Sequence, residues 1–278
     1  MEFLAIPFPG INPVAFEIGP LSVKWYGLGY MASLLFAWWY IKQLLRTPQL
    51  WRGNKAPFSP LLVDDLLLWI TIGVVVGGRL GQVLLYDPGY YLHHPIEIFE
   101  IWRGGMAFHG ALILSGILIL IFSRIHKVDF ATVTDLCCAG VALGIGLVRI
   151  TNFINAEHFG RPSDVPWAMV FPGGGNYTRH PSQLYESLLE GFVMFAILRL
   201  ATHKFGALKS PGIVTGIWLI WYAVARTICE FFRDPEPVHA LNLGPFTAGQ
   251  MYSIPMVLLG LWFIWRARRG AAATPANA

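Results

Sequence analysis

The sequence predicts an all-α, polytopic membrane protein with seven transmembrane helices, its N-terminus outside and its C-terminus in the cytoplasm. Three observations predict it. Hydrophobic residues make up 55% of the 278, with 11 Trp and 19 Phe among them, while charged residues reach only 13%. A soluble domain carries roughly 25% charge, about twice as much. Seven runs are long and apolar enough to form helices of about 20 residues, the length that spans roughly 30 Å of hydrocarbon. The basic residues also sort by side: loops at 42–55, 124–127, 199–209 and 266–269 hold twelve of the 20 Lys and Arg. Short cytoplasmic loops collect such residues. The net charge of +4 then belongs to loops facing anionic membrane lipids, and no nucleic-acid surface is expected.

The spans fall at about 21–42, 62–85, 108–125, 131–150, 183–202, 212–232 and 249–266. The N-terminus lacks a charged start, and its first apolar run exceeds 20 residues with KQLLR behind it, which reads as a retained anchor and not a cleaved signal. Ahead of the third lies DPGYYLHHPIEIFEIWRGG, whose Tyr, Trp and charged residues suit a helix in the outer interface, with His93 and His94 facing water. Cys137, Cys138 and Cys229 fall inside spans as small buried apolar residues. No CxxC or Cys/His spacing suggests a metal, and no cofactor is expected. Without an internal repeat or linker, residues 1–278 form one domain, ending in a disordered tail at about 270–278.

The remaining basic residues are Lys24, Arg79, Arg103, Arg149, Arg161, Arg179, Arg226 and Arg233. An Arg at the bilayer centre costs about 2.5 to 3.5 kcal/mol even on lenient insertion scales, so such a residue needs partners or a wet cavity. In WYAVARTICEFFR, Tyr222, Arg226, Glu230 and Arg233 share one helical face. A self-satisfied Arg226/Glu230 pair that glues helices is the plain alternative. In RITNFINAEHFGR, from Arg149 to Arg161, Asn152 and Asn155 can satisfy freed backbone groups, and the Gly- and Pro-rich stretch after it reads as the lining of an outward-opening pocket. RGGMAFHGA places His109 at the outer start of the third span behind Gly104 and Gly105.

Arg149 and Arg226, with Arg161, Arg179 and Arg233 at a similar level, predict a surplus of positive charge that Glu157, Glu186 and Glu230 only partly cancel. Guanidinium forks match phosphate bidentately. A phospholipid brings its phosphate to that depth by sliding between helices, and the same arginines can stabilise a phosphate leaving group. An imidazole such as His109 suits proton transfer near neutral pH. A transporter or channel for an anionic solute is the alternative, since it too wants intramembrane arginines, but it predicts paired halves or broken helices that the sequence lacks. No GxSxG, HExxH or GxxxxGK[ST] motif is present.

The polar stretches resemble one family, the bacterial prolipoprotein diacylglyceryl transferases. Its signature runs approximately Gly-Arg-x-Gly-Asn-Phe-Ile-Asn-Gly-Glu-x-x-Gly-Arg, and VRITNFINAEHFGR keeps Arg149, Asn152, Phe153, Ile154, Asn155, Glu157, Gly160 and Arg161. WYGLGY at 25–30, GGMAFHGA at 104–111, RHPSQLYE at 179–186 and EFFRDPE at 230–236 extend the likeness over nearly the whole chain. Thr151, Ala156 and Ala111 depart from it, each standing where the family has glycine.

The resemblance implies transfer of the sn-1,2-diacylglyceryl group of phosphatidylglycerol to the lipobox cysteine in the signal peptide of a prolipoprotein. A thioether forms and glycerol phosphate leaves. It implies an active site toward the outer leaflet of the bacterial cytoplasmic (inner) membrane. Arg149 and Arg226 are implied to bind the lipid phosphate and His109 to be the base, with Tyr26, Asn152 and Gly160 also essential. Tyr222, Arg233 and Glu157 are expected around the phosphatidylglycerol headgroup. Gly104, Gly105 and Gly160 are expected to shape loops.

Overall fold

The computed structural model describes residues 6–234 and 247–272, and the chain is mostly helical. Among the described residues, four helices are long and apolar enough to cross a membrane: Leu62–Tyr86, Phe108–Ile125, Phe130–Ile154 and Ile213–Glu230. In chain order the helices are α1 (Trp25–Leu45), α2 (Leu62–Gly81), α3 (Pro88–His93), α4 (Phe108–Ile125), α5 (Phe130–Ile154), α6 (Ser182–Glu186), α7 (Met194–His203), α8 (Ile213–Glu230) and α9 (Ala248–Ala272). A wide π-helical turn, Gln82–Tyr86, continues α2, and another, Ser187–Val193, joins α6 to α7.

Three expectations are corrected. The chain is not purely helical, and the first helix does not begin near residue 21. A hairpin of β2 (Val14–Ile18) and β3 (Leu21–Lys24) comes first, and its last residue leads straight into α1. A second small sheet joins β1 (Ile6–Pro7), β4 (Met169–Val170) and β5 (Thr178–Arg179), with β4 central and parallel to β1. The segment DPGYYLHHPIEIFEIWRGG, expected to suit an interfacial helix, is the short α3 followed by two 3-10 turns. Prolines 88 and 95 open helical turns, since the missing N–H is an orphan at N1 anyway. Of the tail expected to be disordered, residues 273–278 lie outside the described residues.

Helices pack as α1 on α5, α2 on α4 and α8 on α9. Small residues set several of these contacts, as inside membranes where backbones approach closely. A Cβ on Gly216 would stand 2.8 Å from Gly260 O, and one on Gly81 would stand 2.7 Å from Gly110 Cα. The outward faces are apolar: Leu112, Ile113, Ile117 and Ile125 of α4 are exposed, as are Leu68 and Ile72 of α2. A soluble protein rarely exposes such a continuous patch, whereas lipid solvates it.

The tight core lies toward one pole, around Leu44, Leu66, Phe122, Leu136, Leu198 and Val214. Buried Asp135 of α5 belongs to that pole. It accepts from the N–H groups of Gly212 (2.8 Å) and Thr215 (2.7 Å) and from Thr215 Oγ1 (2.6 Å). The opening turn of α8 leaves N–H donors without helical partners, and this carboxylate from α5 caps them.

Candidate functional site

At the other pole α5, α6, the π turn after it and α8 converge on a cluster of ionised side chains. Arg149 Nε lies 2.8 Å from Glu186 Oε2, and its Nη2 lies 3.5 Å from Glu190 Oε2. Arg226 Nη2 pairs with Glu230 Oε1 at 2.6 Å, one helical turn on in α8. Its Nη1 stands farther off, 3.6 Å from Glu186 and 3.8 Å from Glu190. Arg233 donates to Glu186 Oε1 at 3.1 Å. Of the expected face of Tyr222, Arg226, Glu230 and Arg233, Arg226 and Glu230 pair within α8, while Arg233 lies beyond the helix end and reaches Glu186. The Arg226–Glu230 pair joins residues of one helix and does not by itself glue two.

The expected surplus of positive charge is corrected, because three arginines here meet three glutamates. Glu190 escaped the sequence reading, although its four-residue spacing from Glu186 inside an expected span was a signal that carboxylates face inward together. The charges are layered, however. The side chains of Glu186 and Glu190 are 0% exposed, while those of Arg149 and Arg226 keep 19% and 17%. The carboxylates thus form a floor and the guanidiniums lie over it, so the accessible face is positive even though the cluster balances. Each guanidinium has five N–H donors, and Arg149 and Arg226 each commit one nitrogen to a short carboxylate contact. Glu190 holds only the longer contacts, 3.5 Å from Arg149 and 3.8 Å from Arg226.

Two other arginines expected near the site act on backbone. Arg161 Nε donates to Arg233 O (2.8 Å), and Arg179 donates to Gly174 O (2.8 Å) and Gly160 O (3.1 Å) and pairs with Asp234 (2.9 Å). They stitch the polar loop to the end of α8. Gly160 sits in that seam. Its N–H donates to His180 O at 2.9 Å, and a Cβ would stand 2.7 Å from His180 Cβ, so only glycine fits without a shift. His180 is a seam residue too: Nδ1 and the Tyr185 hydroxyl share a hydrogen bond of 3.1 Å, and burial pushes its pKa below the usual histidine range. Of the EFFRDPE match, Pro235 and Glu236 lie outside the described residues.

Asn152 follows Arg149 by one turn of α5, is buried, and donates to Glu157 Oε1 at 2.7 Å; Asn155 donates to the same oxygen at 3.3 Å. Glu157 is thus held by two amides. Tyr26, in the first turn of α1, shares a hydrogen bond of 3.3 Å with Tyr30 and lies within electrostatic reach of Glu157 and Arg149. Tyr222 stacks on Trp218 at 5.2 Å and lies within reach of Arg149, Arg226 and Glu190.

His109 opens α4, half-buried, and its Nδ1 shares a hydrogen bond of 3.0 Å with the Tyr86 hydroxyl. Tyr86 also escaped the sequence reading, because the π turn that delivers it leaves no compositional mark. Gly104 and Gly105, just before His109, have φ of 89° and 73°. Their carbonyls accept from Arg79 Nη1 at 2.8 and 3.1 Å, and Arg79 also donates to Ile98 O (2.9 Å) and to Glu97 O. Buried Arg79 therefore anchors the loop that leads to His109.

The fold and this site define an integral membrane protein with a buried polar centre at one pole of an apolar helical bundle. The sequence model described as "Prolipoprotein diacylglyceryl transferase" matches residues 13–266. Curated proteins of Brucella canis, Brucella ovis and Brucella abortus are each 48% identical over 269 residues, 96% of this chain and 96% of their own. All three are named phosphatidylglycerol--prolipoprotein diacylglyceryl transferase. The chain belongs to the prolipoprotein diacylglyceryl transferase family.

Proposed function

We propose that this protein moves the sn-1,2-diacylglyceryl group of phosphatidylglycerol onto the lipobox cysteine in a prolipoprotein signal peptide. The thiol sulfur attacks the glycerol carbon that carries the phosphate ester. A carbon–sulfur bond forms, the carbon–oxygen bond to phosphate breaks, glycerol phosphate leaves, and the thiol proton passes to a base. The observation that carries this reading is the layered cluster, in which Arg149 and Arg226 lie above buried Glu186 and Glu190. In that order the guanidinium N–H groups can grip a phosphodiester while the carboxylates hold them from behind. The same donors then stabilise the charge that gathers on the departing phosphate.

His109 is the proposed base. If Nδ1–H donates to Tyr86, the lone pair sits on Nε2, ready to take the thiol proton. Tyr26, Asn152, Tyr222, Arg233 and Glu157 border the headgroup in this reading, and Gly104, Gly105 and Gly160 shape the loops around it. The protein crosses the bacterial cytoplasmic membrane seven times with its N-terminus outside. The collection of twelve Lys and Arg in loops on one side supports that orientation, which turns the arginine cluster toward the outer leaflet. Purified protein in detergent, given phosphatidylglycerol and a lipobox peptide, should add one diacylglyceryl mass to the cysteine sulfur. A peptide of unchanged mass, with the lipid intact, would overturn the assignment.

A further inference from the structure

The two halves of the proposed chemistry stand on different helices, His109 at the start of α4 and the Arg226–Glu230 pair near the end of α8. Helix α9 touches both. Its opening turn is fixed by a reciprocal cap: Thr247 N–H donates to Gln250 Oε1 (3.2 Å) and Gln250 N–H donates to Thr247 Oγ1 (3.3 Å). Ser253 Oγ, one turn on, donates back to Gly249 O at 2.8 Å. Within this turn Gly249 lies against the ion pair. A methyl group on it would stand 2.7 Å from Glu230 Cδ and 3.0 Å from Arg226 Nε, too close for either to stay in place.

Three residues further along, about 4.5 Å of helical rise, the ring of Tyr252 packs on His109 with centroids 5.4 Å apart and planes tilted by 58°. His109 is therefore held between Tyr252 on α9 and the hydroxyl of Tyr86. A single turn of one capped helix meets the proposed phosphate ligand on one side and the proposed base on the other.

We propose that the first turn of α9 is a positioning element for the transfer, with Gly249 setting the place of the Arg226–Glu230 pair and Tyr252 setting the ring of His109 relative to it. This rests on the reading of His109 as base and Arg226 as phosphate ligand. Bond formation at a carbon demands that phosphate and base be held at one fixed separation, and misplacement by about 1 Å can cost a hundredfold in rate. A strut that contacts both is the simplest way to hold it. Tyr252 moves no proton and touches no substrate in this account.

The test is steady-state transfer by the full-length protein in detergent, measured as kcat and as KM for phosphatidylglycerol. Tyr252→Ala should lower kcat about tenfold with KM unchanged, and Tyr252→Phe, which keeps the ring, should restore it. In a His109→Gln background Tyr252→Ala should cost nothing further, because the group it positions is gone. Gly249→Ala should raise KM about tenfold by displacing Arg226. If that variant does not fold, Gln250→Ala, which removes the Gln250 Oε1 half of the cap, should raise KM in the same sense. An unchanged kcat in Tyr252→Ala, a full additional loss in the His109→Gln background, or an unchanged KM in the Gly249 and Gln250 variants would overturn the proposal. Wild-type turnover by His109→Gln would instead sink the reading of His109 and the Tyr252 half with it, leaving Gly249 to be decided by KM.

Discussion

Helix α5 carries a buried carboxylate near one end and a partly exposed guanidinium near the other, 14 residues or about 21 Å apart, and the two are held in different ways. Asp135 is saturated: two backbone N–H groups and a hydroxyl point at it from the start of α8, all within 2.8 Å. Arg149 has one short contact, to Glu186, and a looser one to Glu190 at 3.5 Å. Both sites place charge where hydrocarbon penalises it. One is closed by the fold's own backbone, and the other is built from ions over ions with donors to spare. Saturation fits a structural device, and in the proposed reading the looser cluster is where the lipid phosphate docks.

Substitutions can break this comparison from either end. The largest effect is expected at the cluster: Arg149→Ala and Arg226→Ala should each lower turnover about 10²- to 10³-fold, as loss of an electrostatic stabiliser does, while thermal unfolding shows a folded protein. Arg226→Lys should not rescue the rate, because an ammonium has no planar fork. Next comes Asp135→Ala, which leaves buried donors at the start of α8 unpaired and should cost about 3 kcal/mol of stability. Its transfer rate per folded molecule should stay near the wild-type value. A large loss of turnover in folded Asp135→Ala would erase the distinction between the two ends.

The smallest effect concerns the loop that follows Arg149. Ala156 has φ of 55°, a left-handed conformation that costs a Cβ-bearing residue about 1 kcal/mol. Ala156→Gly should therefore raise stability by about that amount, seen as a higher unfolding midpoint with unchanged turnover.

Much of the site was legible because polar residues inside apolar runs stand out. Arg149, Asn152, Arg226 and Glu230 could be picked from spacing and hydropathy alone, and Arg226 and Glu230 pair as their four-residue separation requires. Other features leave no such trace. The strand ending at Lys24 lies in an apolar run that continues into α1, and hydropathy alone does not divide a strand from a helix there. The π turns that present Tyr86 and Glu190 carry ordinary helical sequences. Arg161 and Arg179 look like anion ligands in sequence, and only the fold shows that backbone carbonyls occupy them. Thr151, one departure from the family signature, is accommodated from another helix: Gly29 of α1 leaves the space, since a Cβ there would meet Thr151 Cγ2 at 2.5 Å.

The central claim is that Arg149 and Arg226 grip the phosphate of the lipid. The most direct measurement is the dipolar coupling between ¹⁵N-labelled guanidinium groups and ³¹P of phosphatidylglycerol, recorded by solid-state NMR on the protein in bilayers. The account predicts a component of dephasing from close nitrogen–phosphorus contacts, above that from arginines in the cytoplasmic loops, that the Arg149→Lys/Arg226→Lys double variant loses. Dephasing equal in the wild type and the double variant would contradict it.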